Sequence, residues 1–280
     1  MRLARTASAA GGHEIVVSHR DRWLPLRSLR GFEDVTRIGD IAGARELREL
    51  GEAVERHGDG VDPVGLDLRS AATVADHGTD IWGAGLNYRR HSDDLDAQQP
   101  ASGPGSYLRP AGCLVGNGGH IELPTQSKRV TAEAELGLVI GTACKNVSRE
   151  DWRSVVAGVT GVLDMTAEDA IRENPRYIPW AKGFDTFCSI GPILVTVDEL
   201  GDELGSVRIA TVLNNETIAS ATPADMRYDL GYLVEYFTAG RTLAPGTVIC
   251  TGTPGAAVIN PGDTVQAVVE GVGTLTHPVR

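Results

Sequence analysis

The segment from residue 131 to residue 141 constrains the fold more than any other part of the sequence. It reads TAEAELGLVIG, so polar and small residues alternate at its start and mainly apolar residues follow. Alternation with a period of two is typical of a strand with one buried face, whereas a continuous apolar run indicates burial on both faces. The sequence therefore predicts a strand that runs into the interior of a sheet, with two glutamates where it enters.

Three carboxylates are associated with predicted strands. Glu133 and Glu135 are separated by one residue, so both side chains project from the same face of their strand. Two like charges this close repel each other, and a site that keeps both ionised normally holds a cation or shares a proton. Asp164 ends a second apolar strand. Three carboxylates without a His or Cys partner suit Mg²⁺ or Mn²⁺. The alternative is a set of solvent-exposed strand acids, because the Glu-X-Glu pattern is common by chance.

Two further features are candidates for catalysis. His91 precedes Asp94 by three residues, and a histidine–carboxylate pair can activate water. An ordinary surface-loop histidine is the alternative. Lys182 lies among aromatic residues in a chain that contains only three lysines. It is a candidate cation for a substrate carboxylate or enolate, and a surface lysine with a buried stem is the alternative.

The remaining pattern predicts a mixed α+β, β-rich chain. Its 280 residues fit one large domain or two unequal ones. We place a boundary near residue 72, between a small α/β domain (1–72), with a hairpin and a helix over 43–57, and a long second domain (73–280). There is no β-α-β rhythm, so a mostly antiparallel sheet or roll is expected. The best helical periodicity begins at a Thr222–Asp225 capping pattern and ends at Gly240.

The charge balance excludes several classes of partner. The net charge is −11, which argues against nucleic acid and anionic membranes. No stretch approaches the ~20 apolar residues of a membrane span, and the first twenty residues lack a signal-peptide pattern. The four cysteines lie far apart and form no CxxC pair. We therefore expect reduced thiols and a cytoplasmic location.

Several motifs, in order, resemble those of the fumarylacetoacetate hydrolase family. They are GLNYRRH, AEAELGLVIG, the strand that carries Asp164, WAKGFDTFCSIGP and LAPGTVICTGTPG, and together they span roughly residues 80–280. The resemblance implies a β-roll catalytic domain that is usually homodimeric, with a small N-terminal module. It also implies binding of Mg²⁺, Mn²⁺ or Ca²⁺ and action on C–C bonds next to carbonyls.

The resemblance assigns a role to each motif residue. Glu133, Glu135 and Asp164 become metal ligands, His91 with Asp94 becomes the base that activates water, and Lys182 becomes the substrate-holding cation. The substrate-binding positions are Tyr88, Arg89, Arg109, Glu168 and Thr253. The implied reaction is hydrolysis of a C–C bond in a β-diketone or 2-oxo acid through a metal-stabilised enolate. A decarboxylase or a tautomerase (isomerase) on the same core, and a non-catalytic homologue, are the alternatives.

Four positions depart from the family wording. Asp94 replaces a glutamate, Arg109 replaces a lysine, and Ile171 replaces a glutamine. Glu168 stands where the family has a substrate-anchoring arginine, so the charge there is reversed. These departures predict a substrate that is larger and less acidic than a simple acylpyruvate. Arg172 and Arg176 are close enough in sequence to compensate, but the sequence alone does not place their side chains.

Overall fold

The structure, a computed structural model, describes residues 1–8, 11–89 and 102–280. Strands dominate these ranges. Their bounds are β1 Arg2–Ala7, β2 His13–His19, β3 Arg22–Pro25, β4 Ile81–Gly85, β5 Gly105–Arg109, β6 Val130–Ile140, β7 Val156–Ala167, β8 Cys188–Thr196, β9 Ile209–Leu213, β10 Glu216–Ala221, β11 Val248–Cys250, β12 Ala256–Ile259, β13 Thr264–Val269 and β14 Gly273–Pro278. The α-helices are α1 Ala44–His57, α2 Glu168–Glu173, α3 Ile178–Ala181, α4 Val197–Leu200 and α5 Leu230–Thr238.

The strands form two sheets. The larger has the order β3-β2-β1-β8-β7-β6-β11-β4-β5, and β12 also pairs with β6. The smaller has the order β10-β9-β13-β14. Among the described strand pairs, β11 and β4 are parallel and the other pairs are antiparallel. This arrangement confirms the predicted mixed, β-rich fold.

The central strands are β6 and β7, which pair antiparallel along almost their whole lengths. The apolar second half of β6, including Leu136 and Leu138, is fully buried. Every residue of β7 is buried as well. The prediction of a strand that enters the sheet interior over residues 131–141 is therefore confirmed, because β6 lies between β7 and β11 with both faces covered.

The N-terminal region contains the expected hairpin and helix. Strands β2 and β3 pair antiparallel, and α1 matches the helix predicted over 43–57. Strand β1 pairs with β8, with Leu3 opposite Leu194, so the N-terminal strands extend the large sheet. The division near residue 72 stays a prediction.

The helix predicted to begin at Thr222 begins later. The Thr222–Asp225 capping box forms, but it caps only a short 3₁₀ turn. Met226 is then extended and forms a bridge with Tyr88, and the side chain of Asn87 accepts the N–H of Tyr228 at 2.9 Å. Asp229 provides the actual N-cap of α5. The prediction was wrong because a partner 141 residues away in the chain competes with local helix formation.

Within the described part of the chain, no helix has the length and apolar character that crossing a membrane requires.

Candidate active site

The pairing of β6 with β7 brings the three predicted metal ligands together. Glu133 lies directly opposite Asp164 in the register, and Glu135 lies two residues further along the same face of β6. One carboxylate oxygen from each of the three lies within 4.8 Å of the others. The alternative of separate, solvent-exposed strand acids does not hold, because Glu135 and Asp164 are buried.

Glu135 is held by a tight loop that follows β11. Its Oε2 accepts the N–H of Gly252 at 2.8 Å. Gly252 has φ +95°, and a Cβ atom there would lie 2.8 Å from Cβ of Asn87 and 2.9 Å from the carbonyl oxygen of Ala84. Only glycine fits this left-handed, crowded position without strain. The glycine of the TGTP motif is thereby tied to the orientation of Glu135.

Asp164 is surrounded by donors. Its Oδ2 accepts the hydroxyl of Tyr107 at 2.5 Å, and its Oδ1 accepts Nζ of Lys182 at 2.7 Å and Nη2 of Arg109. The Tyr107 ring lies across Gly83 on β4, where any side chain would overlap the ring. Because residue 83 is a glycine, the Tyr107 ring can lie across β4 and its hydroxyl can reach Asp164 on β7.

The protonation pattern follows from burial and these neighbours. Burial opposes ionisation of Asp164, yet the charges of Arg109 and Lys182 hold its pKa below the usual value. Burial, together with the charge of Asp164, raises the pKa of Glu135 well above that of an ordinary glutamate. Burial opposes the charge of Lys182, but Asp164 and Glu133 raise its pKa. The surroundings of Glu135 therefore favour its protonated form, whereas those of Asp164 favour ionisation.

This donor set fits a hard divalent cation. Three carboxylate oxygens with neither imidazole nor thiolate are the ligands that Mg²⁺ and Mn²⁺ prefer. When all are ionised, the carboxylates with Arg109 and Lys182 carry one net negative charge, which a divalent ion converts to one net positive charge. A metal would also replace the proton that burial favours on Glu135, since ligands bind metals in their deprotonated form.

A cavity of about 540 Å³ opens above the carboxylates. Glu133 and Glu135 line one end, and Lys182 lines the wall, where its Nζ lies 3.5 Å from Glu133 and 2.7 Å from the hydroxyl of Thr166. Thr253 also lines this cavity, and its hydroxyl donates to the carbonyl of Gly255. A ligand here would meet the carboxylates, an ammonium group and a rigid loop.

The other predicted site residues lie in different environments. Tyr88 is buried and Arg89 is exposed, and neither is among the described residues that line the cavity. Arg109 is buried beneath the cavity floor, where it also donates to the carbonyls of Lys182 and Phe187. The structure thus places Arg109 behind Asp164 and away from the cavity wall. His91 and Asp94 lie outside the described residues.

Glu168 lines the cavity, but its charge is offset. Arg129 donates to Oε2 of Glu168 at 2.5 Å, and Arg172 donates to Oε1 at 2.5 Å. Both arginines line the same cavity. The compensation by Arg172 that the sequence leaves open is therefore present, and this wall carries net positive charge.

Sequence reasoning missed Tyr107, Arg129 and the backbone N–H of Gly252. Strand periodicity could have identified Tyr107, because it lies two residues before Arg109 and therefore shares a face of β5 with it. Arg129 also shares a face with Glu133, four residues away. Nothing in the sequence indicates that the Gly252 N–H points at Glu135.

Comparison with known proteins identifies the family. Residues 80–280 match the model of the fumarylacetoacetate (FAA) hydrolase C-terminal region. A maleylpyruvate hydrolase of Aquipseudomonas alcaligenes is 34% identical over 76% of this chain and 76% of its own length. A mitochondrial oxaloacetate tautomerase of Rattus norvegicus is 32% identical over 70% of this chain and 64% of its own length.

A solved structure agrees along the whole chain. The maleylpyruvate hydrolase of Sphingobium sp. SYK-6, in complex with manganese(II) and pyruvate, superposes with a TM-score of 0.82. It is 28% identical and covers 100% of this chain and 98% of its own. The matched region contains all three carboxylates, Lys182 and the TGTP loop, and the chain belongs to the fumarylacetoacetate hydrolase family.

Proposed function

We propose that this protein is a divalent-metal-dependent hydrolase that cleaves a C–C bond next to a carbonyl in a β-diketone or 2-oxo acid. The observation that carries the proposal is the convergence of Glu133, Glu135 and Asp164 within 4.8 Å, at a cavity that Lys182 also lines. A divalent ion bound there supplies a Lewis acid that polarises the substrate carbonyl and stabilises the enolate charge left by C–C cleavage.

The other roles in the proposed reaction belong to side chains and backbone groups of the protein itself. Lys182 presents a fixed ammonium group at the cavity wall, where it can hold a substrate oxygen that gains negative charge. Arg109 and Tyr107 keep Asp164 ionised and oriented from below. The Gly252 N–H fixes Glu135. Activation of water is assigned by resemblance to His91 with Asp94, and this stays a prediction.

A tautomerase or isomerase is the second candidate. Keto–enol conversion needs an enolate sink and a proton donor but no attacking water, so the same carboxylates and Lys182 suffice. The similarity to an oxaloacetate tautomerase supports this alternative. Release of two carbon fragments distinguishes hydrolysis from interconversion of one compound.

The test is a substrate panel of acylpyruvates, oxaloacetate and bulkier β-diketones, each assayed with Mn²⁺ and with EDTA. Cleavage products that require Mn²⁺ support the hydrolase, and a change of tautomer without fragments supports the second candidate. Release of CO₂ as the only product would indicate a decarboxylase. Turnover that persists in EDTA would contradict metal dependence, and turnover of Glu133→Ala with Mn²⁺ at the parent rate would contradict Glu133 as a metal ligand.

We also propose a homodimer that acts on a small molecule in the cytoplasm. The family resemblance supports the dimer, and the net charge of −11 argues against nucleic-acid and membrane partners. Light scattering at several protein concentrations tests the oligomeric state, and a monomer throughout would contradict the proposal.

A further inference from the structure

Two of the four cysteines are in contact with each other. Cys113 ends a 3₁₀ turn that follows β5, and Cys188 is the first residue of β8. Both are buried free thiols, and a hydrogen bond joins their side chains. The backbone holds the two segments together as well, because the N–H of Val115 donates to the carbonyl of Cys188 at 2.8 Å and Leu114 forms a bridge with Cys188.

The other two cysteines lie in different surroundings. Cys250 lies in β11 opposite Gly137 of β6, and burial raises the pKa of its thiol well above the usual value. Cys144 exchanges backbone hydrogen bonds with Leu243, and burial raises the pKa of its thiol too. Because the thiolate is the reactive form of cysteine, these two thiols are expected to be inert.

Arg109 favours a thiolate at Cys113. Its Nη1 lies 3.9 Å from Sγ of Cys113, which is within hydrogen-bond range of a sulfur atom. The hydrogen bond from the Cys188 thiol and the charge of Arg109 lower the pKa of Cys113 to about 7, although burial opposes this. Cys113 is therefore the member of the pair that is suited to attack an oxidant, with a second thiol in contact with it.

The segment that carries Cys113 lies close to the surface. Its neighbour Gly112 is exposed. The 3₁₀ turn is closed by two hydrogen bonds of 3.2 Å, from the N–H of Cys113 to the carbonyl of Pro110 and from the N–H of Leu114 to the carbonyl of Ala111. Local opening of one such turn costs far less free energy than global unfolding, and it is enough to admit a molecule as small as hydrogen peroxide.

We propose that Cys113 and Cys188 are a peroxide-reactive thiol pair, which hydrogen peroxide converts to a reversible disulfide. The Cys113 thiolate attacks one peroxide oxygen, the O–O bond breaks, and the released hydroxide takes up a proton to become water. The product at Cys113 is a sulfenic acid. The sulfur of Cys188 then attacks that of Cys113, the S–S bond forms, and the hydroxyl group leaves as water with the proton of Cys188. The two thiols lose two electrons, and the peroxide gains them.

The pair lies beside the groups that support Asp164. Cys188 lies opposite Asp164 in the register of β7 and β8. Arg109 contacts both Asp164 and Cys113. A disulfide here would tie the segment after β5, which follows directly on Arg109, to β8. The proposal is independent of the proposed function, because the oxidation needs neither a metal ion nor a substrate.

The experiment treats the folded full chain with hydrogen peroxide, at a dose that oxidises the urea-unfolded chain, and then counts free thiols after denaturation. We expect the count to fall from the four free cysteines to two and to return to four with dithiothreitol. Peptide mapping without reductant should give one linked pair of peptides, which contain Cys113 and Cys188. Four remaining thiols, a different linked pair, or a loss that dithiothreitol does not reverse would overturn the proposal.

Variants assign the two roles. In Cys188→Ala, oxidation should stop at the sulfenic acid of Cys113, which dimedone traps as an adduct that mass spectrometry detects. Cys113→Ala should give no adduct at Cys188. Cys144→Ala is the matched control at a buried cysteine outside the pair, and it should still form the disulfide. An adduct at Cys188 in Cys113→Ala, or loss of the disulfide in Cys144→Ala, would contradict the assignment. Thermal denaturation of the reduced variants checks that they fold, and the peptide map of the parent protein decides the proposal without them.

Discussion

The part of the β6–β7 pair between the metal ligands and Arg129 has two ends, which use the same chemical groups in opposite environments. At one end, Asp164 and Arg109 form an ion pair in which each side chain is 1% exposed. At the other end, Glu168 pairs with Arg172, whose side chain is 60% exposed. Burial makes the first pair costly to break, because Arg109 alone would be an uncompensated charge in the core and Asp164 would keep Lys182 as its only charged partner. Water can replace Arg172 in the second pair, because its side chain is exposed and Glu168 keeps Arg129 as a partner.

The two ends are therefore expected to have different roles: the buried end fixes the metal ligands, and the exposed end contacts a bound ligand. The buried end holds its carboxylates in one arrangement, as coordination of a metal ion requires. The exposed end can exchange its contacts for those of a ligand at little cost. We therefore expect substitutions at the buried end to affect stability and metal binding, and substitutions at the exposed end to affect the choice of substrate.

The largest expected effect is on stability. Arg109→Met leaves Asp164 with fewer partners in the core and should lower the free energy of unfolding by about 3–5 kcal/mol. Arg172→Met, at the exposed pair, should lower it by less than about 1 kcal/mol. Urea denaturation of both variants measures the difference, and equal losses would show that the two pairs are not energetically distinct.

The next effect concerns metal affinity. Tyr107→Phe removes the hydroxyl that donates to Asp164, and loss of a hydrogen bond behind a metal ligand typically weakens binding about tenfold or more. A Mn²⁺ titration measures this, with Tyr177→Phe at an exposed tyrosine as the control. If Tyr107→Phe binds Mn²⁺ as tightly as the parent, the hydrogen bond from Tyr107 to Asp164 does not contribute to metal affinity.

A pH effect follows from the raised pKa of Glu135. The metal-free fold favours protonated Glu135, so that contribution to stability is lost as pH rises through the raised pKa. Asp164 has a lowered pKa and acts in the opposite direction, since its contribution is lost only as pH falls through that lowered value. Mn²⁺ displaces the proton from Glu135, so the increase in Tm on adding Mn²⁺ should grow as the pH rises toward the raised pKa of Glu135.

Thermal denaturation with and without Mn²⁺ at each pH tests this, and Glu135→Gln should show a smaller dependence on pH. A metal-induced shift in Tm that does not change with pH would indicate that Glu135 is already ionised in the metal-free protein.

The smallest expected effect is at Glu168. Glu168→Gln weakens two partly exposed ion pairs and should lower the free energy of unfolding by about 1 kcal/mol or less. If Glu168→Gln loses as much stability as Arg109→Met, the ion pairs of Glu168 are energetically equivalent to the buried pair of Asp164 and Arg109.

The sequence predicts the buried end better than the exposed end. Glu133 and Glu135 could be placed on one face from strand periodicity, and Asp164 could be identified at the end of a second apolar strand. Arg129 meets Glu168 only because the register sets Thr131 opposite Thr166, and register is not readable from one strand alone. The orientation of Arg109 and the late start of α5 also depend on partners that are distant in the chain.

The proposed function requires that Glu133, Glu135 and Asp164 together bind one divalent ion. Anomalous diffraction from crystals of the protein grown with Mn²⁺ tests this directly. We expect one manganese peak within roughly 2.0–2.6 Å of an oxygen from each of the three carboxylates. A peak elsewhere, or none at these carboxylates at saturating Mn²⁺, would contradict it.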